Sequence, residues 1–139
     1  MRRAALALAV LFIVSCGGSV PAMRITRFSA MPENHYPAFD RSIADAAVAR
    51  RVFDAVNGLP RATTDRSCPA AFGLRYRLSF NEAARVSLSV VIEGDGCADV
   101  AFTQGDRRAT DDAFWTLLAD ALGVARADIY NVRPTAVTR

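Results

Sequence analysis

Two stretches of the chain alternate between apolar and polar side chains with a period of two. Leu74, Tyr76, Leu78 and Phe80 are interleaved with Arg75, Arg77, Ser79 and Asn81. After a turn at 82–84, Val86, Leu88, Val90 and Ile92 are interleaved with Ser87, Ser89 and Val91. Successive strand residues point to opposite faces, so this pattern predicts a hairpin with one buried face and one mostly polar face. Glu93-Gly94-Asp95-Gly96 reads as a turn into a third strand over 97–103, with Val100 and Phe102 inward. Arg24 to Ser29 alternates more weakly and predicts a first or edge strand.

A period near 3.6 marks two further segments. Ala44, Val48, Val52, Ala55, Val56 and Leu59 share one helical face, Ser42 with Asp45 resembles a capping box, and Gly58 and Pro60 mark the stop. This predicts an amphipathic helix of about sixteen residues with Arg50, Arg51 and Asp54 turned to solvent. In the second, Thr110 is the expected cap, Asp111 and Asp112 occupy the first turn, and Phe114, Leu117, Leu118, Ala121 and Leu122 recur at helical spacing up to Gly123. Trp115 lies beside that stripe, at the expected edge of the core. Residues 30–41, with Pro32 and Pro37, and 61–73, with Cys68-Pro69, read as loops, 104–109 as a turn, and Asp128 as the start of a short turn through Tyr130. The expected class is α+β, an antiparallel sheet of three to four strands with two helices packed on one face.

The N-terminus follows a different logic. Arg2 and Arg3 precede eleven apolar residues, Ala4 to Val14, which as a helix would span about 16 Å, half of a bilayer core. That suits the apolar region of a signal peptide better than a transmembrane helix. The residues Ile13-Val14-Ser15-Cys16 resemble the lipobox of bacterial lipoproteins. The resemblance covers the first 16 residues. It implies export by the general secretory route, removal of residues 1–15 as a lipoprotein signal peptide, and lipidation of Cys16. Residues 16–23 then form the lipidated cysteine and a short tether, and 24–139 a single small domain. The expected location is the cell membrane, lipid-anchored on the extracytoplasmic side. With Cys16 assigned to lipid, Cys68 and Cys97 are left as the pair for one disulfide in an oxidising compartment. The predicted sheet brings both to the same end.

Composition narrows the chemistry. The chain of 139 residues has 17 basic side chains, all arginine, against 14 acidic ones. Without lysine there is no Schiff-base chemistry, and with one histidine there is no site needing two imidazoles. Loss of the leader removes two arginines, leaving 15 against 14, which gives no case for nucleic-acid binding. His35 sits in a proline-flanked loop without a nucleophile matched to it by motif. Asp111-Asp112 are explained by helix-start electrostatics, and Glu93, Asp95 and Asp99 by turn chemistry around glycines. No pattern calls for a metal or a cofactor. The face formed by Arg75, Arg77, Ser79, Ser87 and Ser89 is the candidate ligand or partner surface, because arginine forks suit phosphate or carboxylate.

The expected function is that of a lipid-anchored, non-catalytic binding or protein-interaction module. It would meet the membrane through Cys16 and an unidentified protein or cell-envelope partner through its domain. A secreted protease inhibitor presenting the 61–73 loop is the alternative, and a small hydrolase a third reading.

Overall fold

A computed structural model describes residues 22–82 and 85–135. The expected signal peptide, the lipobox-like residues and Cys16 lie outside the described residues, as does the expected tether as far as residue 21. Six strands form one sheet: β1 (Met23–Ser29), β2 (Asp40–Ile43), β3 (Leu74–Glu82), β4 (Arg85–Glu93), β5 (Asp99–Phe102) and β6 (Arg107–Ala109). Two helices, α1 (Ala46–Gly58) and α2 (Asp112–Leu122), and a 3₁₀ turn over Arg126–Asp128 complete it. The strand order is β2-β1-β3-β4-β5-β6, with every neighbouring pair antiparallel. The expectation of three to four strands is therefore too low. β2 straddles the end of the predicted 30–41 loop and the Ser42 expected at the helix start, and β6 falls in the predicted 104–109 turn. Both are short edge strands without an apolar alternation of their own.

The register sorts side chains cleanly onto two faces. Ile25, Leu78 and Val90 line up across the sheet, as do Tyr76, Ile92 and Val100, and all six are buried. Val52 and Val56 of α1 and Phe114, Trp115 and Leu118 of α2 join the same hydrophobic cluster, so both helices cover this one face. The opposite face carries Thr26, Arg77, Ser79, Ser89 and Val91.

The helix starts differ from expectation for a shared reason. The cap of α1 is Asp45, whose Oδ1 accepts from the amides of Ala47 at 2.8 Å and Val48 at 3.1 Å, while Ser42 pairs with Arg24 in the sheet. The cap of α2 is Asp111, which accepts from the Phe114 amide at 2.7 Å. Thr110 is thereby free to accept the Trp115 indole N–H at 2.9 Å. In both cases the carboxylate nearer the first turn takes the amides. The α2 stop is as expected: Gly123 adopts φ +64°, a left-handed conformation that costs glycine little.

β1 departs from its weak alternation. Arg27 shares the helix-covered face with Met23 and Ile25, and Phe28 faces the other way. The Arg27 guanidinium lies over the rings of Phe39 and Tyr76 and donates to Tyr76 Oη at 3.0 Å, to the Pro37 carbonyl at 3.0 Å and to the Asp128 carbonyl. One cation thus pins the 30–39 loop and the 126–128 turn to the sheet. Burial pushes the Tyr76 hydroxyl up to about 12.

The disulfide joins Cys68 to Cys97 with a Cα–Cα distance of 4.9 Å, at the end where β3 and β5 begin. It closes 29 residue steps, for which chain entropy gives about 3.5 kcal/mol. Replacing both cysteines by alanine is expected to lower the unfolding free energy by about 2–4 kcal/mol and leave a folded domain. Urea denaturation of the two forms checks this, and an unchanged midpoint would contradict it.

Candidate functional site

The helix-free face has a charged end and a polar end. At the charged end the start of β3 lies beside the end of β4, placing Arg75 opposite Glu93. Arg75 reaches Glu93 at 3.3 Å and Asp95 at 3.9 Å, and Arg107 from β6 reaches Glu93 at 2.6 Å and Asp99 at 3.2 Å. Arg66, carried in by the 61–73 loop, pairs with Asp99 as well. Three arginines and three carboxylates therefore alternate in one lattice across β3, β4, β5 and β6.

Backbone groups hold the lattice in register. Asp95 is buried, and its Oδ2 accepts the amide N–H of Phe72 at 2.7 Å and of Leu74 at 3.1 Å. Among the described residues, two buried atoms, Asp95 Oδ1 and Arg66 Nε, have no hydrogen-bond partner. A cleft of about 340 Å³ runs beside the lattice along β6, lined by Arg61, Thr63, Thr64, Asp99, Asp106 and Arg107. Glu93 and Asp99 are each held by two guanidinium groups and Asp95 by one guanidinium and two backbone amides, so the carboxylates of this end are occupied by partners within the domain.

At the polar end the register brings Arg77, Ser79 and Ser89 together, with Arg77 opposite Val91 and Ser79 opposite Ser89. The two serine hydroxyls are 3.4 Å apart, and the exposed Arg77 guanidinium lies over the Phe28 ring at 5.5 Å. Of the five residues expected on this face, Arg75, Arg77, Ser79 and Ser89 lie along it. Ser87 differs: a bulge after Phe80 takes it out of the pairing, and its hydroxyl donates to the Phe80 carbonyl at 3.2 Å. Arg75 is committed to the lattice, whereas Arg77 makes no ion pair among the described residues.

The remaining candidates separate from this face. His35 is exposed, and its carbonyl accepts the Thr135 amide at 2.8 Å. Asp111 is spent as a helix cap and Asp112 pairs with Arg126. No cluster of three or more His, Cys, Asp or Glu side chains poised for a metal occurs among the described residues. Arg66 and Arg107 are the members that sequence reasoning missed. Arg66 sits in a stretch without periodicity, and Arg107 in a segment that reads as a turn.

Comparison with protein-family models, with curated proteins and with solved structures finds no match to this chain. Its function rests on the residues themselves. None of the described helices is long and apolar enough to cross a membrane.

Proposed function

We propose that this chain is a lipid-anchored extracytoplasmic protein whose domain serves as a non-catalytic binding or interaction module. The observation that carries this reading is the polarity of the sheet. The chain enters at Ala22, whose carbonyl accepts the Asn81 amide at 2.9 Å, at the end where β3 finishes. The disulfide and the arginine–carboxylate lattice lie where β3 begins. Nine strand residues separate the two ends, about 30 Å. A membrane tether at Cys16 would therefore hold one end down and present the other outward. The Cys68–Cys97 bond fits an oxidising compartment.

Arg77, midway along β3 on the helix-free face and without an ion pair among the described residues, is the natural contact for an anionic group on the partner. Capture of partners from crosslinked cells, with the wild-type chain and Arg77→Glu compared, tests this. A partner recovered by the wild-type chain and reduced about tenfold by the substitution is expected. Turnover of generic ester, phosphate, peptide or glycan substrates would overturn the non-catalytic reading. A protease inhibitor is the second reading, favoured by one observation: the exposed 61–73 loop is braced by Cys68–Cys97 and by Arg66–Asp99. Inhibition of a subtilisin-like or trypsin-like protease would select it.

A further inference from the structure

At the end of the sheet opposite the lattice, four features converge. Ala22, the first described residue, lines a cleft of about 240 Å³ together with Ala46, Ala49, Phe53 and Phe80. Arg50 stands in the wall of the same cleft, its guanidinium over the Phe53 ring at 5.1 Å. Val86, near the start of β4, is 63% exposed, the only large apolar side chain so placed among the described residues. Arg85 next to it is exposed as well. An exposed valine and a half-buried Phe53 beside arginines suit a lipid–water boundary, with cations at the headgroup phosphates and apolar groups below them.

We infer that this end of the domain, with Val86, the Phe53–Phe80 cleft, Arg50 and Arg85, docks on a phospholipid surface bearing anionic headgroups. The inference rests on the lipid-anchor reading for one quantity, the reach of the tether. Six residue steps separate Cys16 from Ala22, at most about 21 Å of extended chain. Because Ala22 itself lines the cleft, a lipid on Cys16 holds this end closest to the bilayer. The occupant is a membrane on the reach of the tether; of the arginines here, Arg85 makes no ion pair among the described residues and stands opposite Glu82, which lines the same cleft, and Arg50 pairs with the exposed Asp54 at 3.0 Å.

The test uses the full chain isolated from membranes, with its N-terminal mass measured first. Val86→Cys and, at the far end, Ala71→Cys are each labelled with an environment-sensitive fluorophore and the protein is placed in vesicles of mixed anionic and zwitterionic phospholipid. Spin-labelled lipids should quench the probe at 86 several-fold more than the probe at 71. Arg50→Ala and Arg85→Ala should each weaken that contrast about fivefold, and high salt should do the same. Equal quenching at both positions, or a contrast indifferent to both arginines, overturns the docking surface. A mass without lipid on Cys16 overturns the anchor reading instead. The same contrast, read on that unlipidated chain with added vesicles, then decides the surface alone.

Discussion

Trp115→Ala should remove about 3–5 kcal/mol of unfolding free energy, the largest loss expected from a single side chain in this domain. Trp115 is 1% exposed and its ring packs on Phe114 at 5.7 Å and on Tyr130 at 4.8 Å. Truncation opens a cavity where α2 meets the chain after the 126–128 turn, and it strips the Thr110 hydroxyl of its indole donor. Trp115→Phe keeps most of the volume and should cost well under half as much. Since the chain has one tryptophan, far-ultraviolet circular dichroism in urea is the appropriate probe. A loss below about 1 kcal/mol would mean that α2 does not seat its tryptophan as described.

Asp95→Ala comes next, at about 2–4 kcal/mol. The carboxylate contributes through the backbone: its Oδ2 satisfies the Phe72 and Leu74 amides together, joining the end of the 61–73 loop to the turn between β4 and β5. Alanine leaves the buried Leu74 amide without this acceptor and relieves Arg75 of one of its two carboxylates. Asp95→Asn retains an acceptor oxygen and should recover about half of the loss. Hydrogen exchange separates this from general loosening, because the Leu74 amide should accelerate more than that of Leu78 in mid-strand. Equal acceleration of both would contradict the local account.

The contrast between these positions shows what the amino-acid order carries and what it does not. β3 and β4 were legible because each buries alternate residues on one core, so burial itself writes the period of two. β2 and β6 were not. Asp40, Arg41 and Ser42 are all exposed, and a strand that buries nothing leaves no hydrophobic trace. Arg27 shows the converse, a polar letter at a core-facing position, accommodated by two aromatic rings and three acceptors that lie far away in the chain. The serine–arginine face could be read off the alternation, apart from Ser87, because no single residue announces a bulge. The ion lattice could not be read. Arg66 and Asp99 are 33 positions apart and meet only because of how the 61–73 loop folds back.

The edges of the sheet have a consequence for crowding. A domain tethered to a surface meets copies of itself far more often than one in bulk solution, and an unpaired strand edge is the usual template for unwanted polymerisation. Here one edge is closed by the chain itself: Ala62 donates to the Arg107 carbonyl at 2.9 Å, and Ala109 donates to the Pro60 carbonyl at 2.9 Å. The other edge, β2, offers four residues, two of them charged and exposed. Neither gives a neighbouring copy a strand long enough to extend, so copies held at a surface by the proposed lipid on Cys16 could be packed densely in two dimensions and remain separate molecules.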